Sequence, residues 1–229
     1  MSKAKSASHD KSSRSEVAKR LIADHGRTYC EEIGISIARN TPSMLFRWLV
    51  ASILFSARIR ADAAVSAARA LSRHRWNTPR AMCDAGWEAR VRVLNHNGYA
   101  RYDESTSREL GDSCRMLIDD YRGDLRRLRD KAGGDAKRIP RLLQAFKGIG
   151  PMGAEIFCRE VQLAWDELYP FVDRRALKVA RAIGLADDGD ALAGLVSKSR
   201  FPELLAALVR VDLEKSAGDY RLEPADHRA

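Results

Sequence analysis

The sequence lacks the features of membrane, disulfide-linked and zinc-binding proteins. It has no run of about 18 apolar residues, the length of a membrane-spanning helix, and we expect no secretory signal because the N-terminus has no apolar stretch. The four cysteines, Cys30, Cys83, Cys114 and Cys158, are far apart and form no C-x-x-C pair. We therefore expect buried free thiols in a reducing cytosol rather than a zinc site.

Positive charge is what the sequence has in excess. The 229 residues carry a formal net charge of +9. Six arginines fall between Arg58 and Arg80, against a single acid, Asp62. A solvated helix face usually mixes the two signs, so this bias favours a polyanionic partner.

Helical signals run along the chain, and we find no alternating strand pattern and no internal repeat. Thr41-Pro42 and Thr78-Pro79 each combine a hydroxyl cap with a proline in the first turn, which predicts a helix start. The nearly all-apolar stretch 44–55 predicts a central helix, and an apolar stripe predicts a helix over 103–121. Residues 1–14, rich in Ser and Lys, are predicted to be a disordered basic tail. The predicted class is all-α.

A glycine-rich turn between two apolar-faced helices is the most specific pattern. Lys147-Gly148-Ile149-Gly150-Pro151 interrupts one helical stripe, and a second helix resumes at Met152. Both glycines can take positive φ and leave the backbone bare. A bare turn at a helix N-terminus offers unpaired N–H groups and a positive dipole end, which suit a phosphate. Lys147 adds charge, and Ile149 is expected to plug the core. The alternative is an ordinary helical connection.

The residues around this turn resemble a known family. The segment 142–157, Leu-Leu-Gln-Ala-Phe-Lys-Gly-Ile-Gly-Pro-Met-Gly-Ala-Glu-Ile-Phe, is similar to the hairpin of the helix-hairpin-helix glycosylase superfamily, which includes endonuclease III and the alkyl-base glycosylases. Residues 169–177 resemble the segment that carries that family's catalytic aspartate, 48–57 its opening helix, and Asn97-Gly98-Tyr99 a glycine-aromatic turn. The resemblance spans about residues 41–185.

This resemblance implies a two-lobed helical fold that bends duplex DNA and flips a damaged nucleotide into a cleft. It places a six-helix domain at 41–160, with the hairpin motif at about 139–163, and a second domain at 15–40 plus 161–229. It also implies DNA contacts from residues of the turn and from two arginines: Lys147, Gly148, Ile149, Gly150, Met152, Gly153, Arg58 and Arg174. A monovalent cation, Na⁺ or K⁺, on the hairpin carbonyls is a further implication.

Asp173 is the predicted catalytic residue. Excision of a base passes through an oxocarbenium-like sugar, which a carboxylate stabilises, or the carboxylate activates water. An Asp directly before Arg-Arg-Ala-Leu is also an ideal helix N-cap. The residues alone favour the cap, the resemblance favours catalysis, and the two roles can coexist.

Met152 departs from the family pattern. Relatives that also cleave the strand have a lysine here, whose amine is the nucleophile, and a thioether cannot replace it. Met-Gly-Ala-Glu also lacks the aromatic residue that the alkyl-base branch has at this place. The sequence therefore predicts a monofunctional glycosylase without lyase activity.

The other site assignments are paired with structural alternatives. Arg58 stands where endonuclease III has a gap-filling glutamine, and a solvated loop charge is the alternative. Arg174 and Arg175 cannot share one helix face, so at most one contacts DNA. Trp48 and Trp165 are expected in the core.

Taken as one prediction, this is a cytoplasmic, nucleoid-associated monomer that acts on double-stranded DNA and has no membrane association. No cofactor is expected, because no cysteine follows Cys158 to hold the family's iron–sulfur cluster. Two other functions remain open: a catalytically inactive DNA-binding protein on the same scaffold, and a helical protein-interaction module.

Overall fold

The computed structural model describes residues 2–222, with side chains from residue 12 onward. This part of the chain is helical and contains no β-strand, so the predicted all-α class is confirmed. None of its helices is long and apolar enough to cross a bilayer. The helices are α1 Ser2–His25, α2 Tyr29–Ile33, α3 Pro42–Ser56, α4 Ala61–Arg73, α5 Pro79–Asp84, α6 Trp87–Leu94, α7 Asp103–Tyr121, α8 Arg126–Ala132, α9 Arg138–Leu143, α10 Pro151–Val161, α11 Arg174–Ala182, α12 Gly189–Ala193 and α13 Phe201–Glu214.

The chain divides into two compact units. The terminal unit comprises Met1–Thr28 and Pro170–Ala229, and the middle unit is Tyr29–Tyr169. The sequence predicted the boundaries at 41 and 160 instead. Segments beyond those boundaries join the middle unit because side chains tie them to it: Glu160 accepts from the amide of Tyr29 at 2.9 Å, and Arg129 forms an ion pair with Glu167 at 2.6 Å.

The middle unit is built around α3. Thr41 caps this helix by accepting from the amide of Met44, and Pro42 occupies its first turn, as the sequence predicted. The side chain of Trp48 is fully buried, and its indole donates to the carbonyl of Phe157 in α10 at 3.0 Å. This bond fixes the helix that follows the glycine turn against the centre of the unit.

The terminal unit packs α1 and α11 against α13. Buried residues run along most of α13, from Phe201 to Val211. Arg175 of α11 forms an ion pair with Asp212 of α13 at 3.2 Å, and the hydroxyl of Tyr220 donates to Asp24 of α1 at 2.7 Å. These contacts hold the two chain termini in one unit.

Two segments differ from their sequence-based predictions. The predicted tail 1–14 is helical from Ser2, because alanine and lysine continue the helix and no glycine or proline occurs before Gly26; Met1 lies outside the described residues. The helix Arg126–Ala132 was not predicted, since its seven residues have only Leu128 and Ala132 buried and carry little periodicity.

Candidate functional site

The turn at 144–150 joins α9 to α10 and is anchored by two apolar side chains. Phe146 and Ile149 are 1% and 4% exposed, and the amide of Ile149 donates to the carbonyl of Phe146 at 3.1 Å. Lys147, between them in sequence, is exposed. Ile149 therefore plugs the core as the sequence predicted, and the turn presents its backbone and one cation to solvent.

The two glycines of the turn differ from each other. Gly148 has a φ of +81°, and a β-carbon there would lie 2.8 Å from Cγ2 of Ile53. Gly150 has a φ of −86° and an extended ψ, and a β-carbon there would meet nothing within 4 Å. The expectation of positive φ at both glycines is therefore wrong for Gly150. The first glycine is required by the fold, whereas the second leaves open space beside the backbone.

The N-terminus of α10 has no side-chain cap. Gly150 occupies the cap position without a side chain that could accept, whereas Thr41 and Asp173 cap their own helices. The Gly150 carbonyl accepts the amide of Ala154 at 3.0 Å. Within the described chain, the amides of Met152 and Gly153 have no acceptor. Two N–H donors and the positive end of an 11-residue helix thus face an open position.

An open groove of about 480 Å³ lies along this turn. It is lined by residues 144–153 together with Ser56, at the end of α3. Gly153 forms its floor by close packing, since a β-carbon there would come within 2.4 Å of the Ser56 hydroxyl oxygen. Met152 is 56% exposed. The groove therefore combines amide donors with one exposed thioether.

Some carbonyl groups of the turn accept hydrogen bonds and others do not. The hydroxyl of Ser113 donates to the Lys147 carbonyl at 2.8 Å, and the Phe146 carbonyl already accepts from Ile149. The carbonyls of Gly148 and Ile149 accept no hydrogen bond from any described residue. Ser113, on α7, was missed in the sequence because it lies 34 residues from its partner.

Glu109 is a second group that the sequence did not indicate. Its carboxylate oxygen would lie 2.9 Å from a β-carbon on Gly148, so it sits directly behind the turn. Burial and the neighbouring Asp112 carboxylate raise the pKa of Glu109. A half-buried acid at this place lowers the positive potential of the turn whenever it is ionised.

Asp173, in the terminal unit, is the N-cap of α11. Its Oδ1 accepts from the amides of Arg175 and Ala176 at 3.1 and 3.0 Å, and the residue is 3% exposed. The predicted capping role is therefore present. Arg174 and Arg175 are both exposed, and Arg175 is paired with Asp212.

Arg58 lies in the bend after α3, two residues beyond the groove-lining Ser56. Its side chain is exposed, and among the described residues it has no hydrogen-bond or ion-pair partner. Its exposure fits the solvated loop charge that was one of the two sequence-based alternatives, and the DNA contact stays a prediction.

A buried carboxylate joins α10 to the start of the middle unit. Glu160 is fully buried and accepts from the amides of Tyr29 at 2.9 Å and Cys30 at 2.7 Å. Burial raises the pKa of Glu160, while the adjacent Arg159 charge opposes that rise. The carboxylate caps α2 from 130 residues away along the chain, which no local pattern predicts.

The fold of this chain is similar to that of a solved structure, although its sequence matches no family. No protein-family model matches the chain, and no curated protein matches its sequence. A structure described as a trapped endonuclease III–DNA covalent intermediate, an estranged-adenine complex, is 18% identical, with 71% of each chain covered and a TM-score of 0.47. Residue roles are not transferable at this level, so the function proposed next depends on the geometry of the chain itself.

Proposed function

We propose that this protein is a DNA-repair protein of the helix-hairpin-helix type, a monofunctional DNA glycosylase that hydrolyses the N-glycosidic bond of a damaged or mismatched base. The observation that carries the proposal is the uncapped N-terminus of α10, which opens on an exposed groove beside the bare backbone of Gly150. This arrangement suits a backbone phosphate of double-stranded DNA.

Phosphate binding would use groups that are already in place. The amides of Met152 and Gly153 donate to the phosphate oxygens, and the open side of Gly150 allows close approach. Lys147 supplies a charge beside the turn, and Arg58 supplies a second one after α3. A contact between backbone amides and a phosphate involves no base edge. It therefore positions the protein on DNA without giving sequence specificity.

We also propose that a monovalent cation binds the same turn. The carbonyls of Gly148 and Ile149, next to the uncapped helix, have no donor in the described chain, and carbonyl oxygens are suitable ligands for a hard cation. When bound, such an ion would link these carbonyls to a phosphate and add positive charge.

Asp173 would carry the chemistry. A buried carboxylate can stabilise positive charge that develops on the sugar or accept a proton from the attacking water. Its Oδ1 holds the start of α11, which fixes the orientation of the carboxyl group. Capping and catalysis are compatible, because a cap that accepts two amides leaves the carboxylate charge in place.

Met152 excludes strand cleavage through a Schiff base at this position. A thioether forms no Schiff base, so strand cleavage through an amine at residue 152 does not occur. Borohydride treatment of a mixture with lesion-containing duplex should therefore trap no covalent adduct. A trapped adduct would show that another lysine acts as a nucleophile and would overturn the monofunctional assignment.

Excision is tested with duplexes that carry alkylated, deaminated, oxidised or mismatched bases, scoring abasic sites. Asp173→Asn keeps a good N-cap but removes the charge, so we expect product formation to fall about 100-fold or more while the protein stays folded. Asp188→Asn is the matched control, since Asp188 caps α12 in the same unit by accepting from Ala191 at 2.8 Å. Equal activity of wild type and Asp173→Asn on every excised lesion would refute the role of Asp173.

A second candidate function is DNA binding without excision. It is favoured by the burial of Asp173 and by the commitment of its Oδ1 to two amides. In that case the same duplexes would bind in a salt-sensitive manner, with no abasic product from any lesion.

A further inference from the structure

A groove in the middle unit, away from the glycine turn in sequence, has the side chains of a binding site. The rings of His74 and Trp76 stack with centroids 4.9 Å apart and planes at 25°. They line a surface groove of about 420 Å³ with Ala89, Val93, Arg92 and His96 of the α6 region. We call this surface the His74–Trp76 groove. Its volume lies within the roughly 300–1,000 Å³ of small-ligand sites.

The backbone at the end of α4 positions His74 and Trp76, which lie on either side of the exposed Arg75 in the chain. Arg75 has a φ of +62°, its amide donates to Ser72, and the amide of Trp76 donates back to Leu71. This is the Schellman pattern, in which the left-handed position is usually glycine. An arginine here places a cation between the two rings in the chain, at a cost in backbone strain.

The charge of the groove is positive and uncompensated. No carboxylate is among the described residues that line it. The exposed side chains of Arg73, Arg75 and Arg92 have no ion pair or hydrogen bond within residues 12–222. By contrast, Arg60 is paired with Asp62, and Arg69 donates to the carbonyl of Glu32. Two arginines of the local excess, Arg73 and Arg75, thus flank the aromatic residues in the chain, and Arg92 lines the groove itself.

His96 adds a directional group. Its Nδ1 lies 2.6 Å from the carbonyl oxygen of Arg92, so Nδ1 donates to that carbonyl, and Nε2 of the neutral imidazole is an acceptor. An aromatic face, free guanidinium groups and one acceptor are the groups that bind a nucleobase with its phosphates.

We propose that the His74–Trp76 groove binds single-stranded DNA, with one base stacked on the Trp76–His74 pair and the neighbouring phosphates held by Arg73, Arg75 and Arg92. A duplex is excluded because its base faces are covered by their neighbours, whereas an unpaired strand exposes them. An acidic peptide would neutralise the arginines but leave the ring face uncovered. The proposal is independent of excision and of the turn at 144–150.

Fluorescence gives a site-specific readout. Trp48 and Trp165 are fully buried and Trp87 is 39% exposed, so in a Trp87→Phe background Trp76 is the remaining accessible tryptophan. A ten-nucleotide deoxythymidylate strand should quench it on stacking. A ten-unit abasic strand has the same phosphates without bases and should bind at least about fivefold more weakly, since each stacked base contributes roughly 1–3 kcal/mol. Equal binding of the two strands, or no quenching, would overturn the proposal.

Variants locate the site by fluorescence anisotropy with the same strand. Trp76→Ala should weaken binding about tenfold, and Trp76→Phe should retain most of it, because phenylalanine still stacks. Arg92→Ala should weaken binding and reduce the salt slope by about 0.7, the value for one phosphate on a single strand. Arg127→Ala, which removes an exposed cation on α8, is the matched control.

The remaining variants still test the groove if one variant fails to fold. Trp76 is half-buried, so Trp76→Ala is accompanied by a thermal melt; the exposed Arg92 and the conservative phenylalanine carry the test if the alanine variant melts early. Binding to an intact duplex should be unchanged in all of them. Loss of affinity in Arg127→Ala equal to that in Arg92→Ala would show nonspecific attraction and refute the groove.

Discussion

Replacing Gly148 by alanine should destabilise the middle unit, whereas the same change at Gly150 should leave it folded and weaken DNA binding. The two glycines are separated by one residue and belong to the same turn. Their different surroundings make them a matched pair, because the added atom is identical and only its neighbours change.

Two effects lower the free energy of unfolding in Gly148→Ala. A left-handed φ of +81° costs a non-glycine residue about 1–2 kcal/mol. The β-carbon also meets Cγ2 of Ile53 at 2.8 Å, and overpacking of this kind costs about 1–3 kcal/mol. Ile53 is 2% exposed, so moving it would disturb the core, whereas the Glu109 carboxylate can rotate away. Allowing for the lower entropy of an unfolded alanine, the total is about 2–4 kcal/mol.

Neither the backbone strain nor the overpacking occurs in Gly150→Ala. Its φ of −86° suits alanine, and no atom lies within 4 Å of the added carbon. The loss of a glycine cap costs up to about 1 kcal/mol. The new methyl group occupies the space through which a phosphate would approach Met152 and Gly153, so we expect duplex affinity to fall about tenfold, equivalent to about 1.4 kcal/mol.

The assays are thermal or urea unfolding and duplex binding at one fixed salt concentration. For a chain of this size, 2–4 kcal/mol corresponds to a fall in Tm of very roughly 4–16 °C for Gly148→Ala. Equal melting temperatures for the two variants would refute the packing argument. Wild-type affinity in a folded Gly150→Ala variant would refute phosphate binding at the uncapped helix.

Three further predictions concern stability. Asp173→Ala should cost about 1 kcal/mol through loss of the cap, whereas Asp173→Asn should stay within about 0.5 kcal/mol of wild type in urea unfolding; equal losses would argue against capping. The pKa of Glu109 is raised in the folded state, so its ionisation opposes folding: the stability of wild type relative to Glu109→Gln should fall as pH rises above about 4.5, and a flat difference between pH 4 and 8 would contradict this. Arg75→Gly should raise the unfolding free energy by about 0.5–1 kcal/mol by relieving the left-handed arginine, and a lower melting temperature would contradict it.

Local chemistry determined much of the helical framework. The caps at Thr41 and Thr78 and the prolines after them begin α3 and α5 where the sequence predicted, because a cap involves only neighbouring residues. The helix at 103–121 also has its predicted bounds. These features depend on contacts within a few residues, so the order of residues is sufficient to fix them.

The glycine turn itself was predicted from the sequence alone, but the difference between its two glycines was not. Both residues permit positive φ, and only the folded turn shows that Gly148 adopts it, with Ile53 and Glu109 packed where a β-carbon would lie. The capping role of Asp173 was predictable because it is local; its catalytic role stays a proposal, since capping by itself says nothing of chemistry at the sugar.

Tertiary structure alone decided the long-range features. Glu160 caps a helix that begins 131 residues earlier, and this interaction, with the Arg129–Glu167 ion pair, moves the unit boundary from its predicted place. The arginine excess after residue 58 was evident in the sequence, yet only the packing of α4 beside the α6 region brings Arg92 to the His74–Trp76 stack. The sequence determines the helices because their bonds are local, whereas the binding surfaces depend on which distant helices pack together.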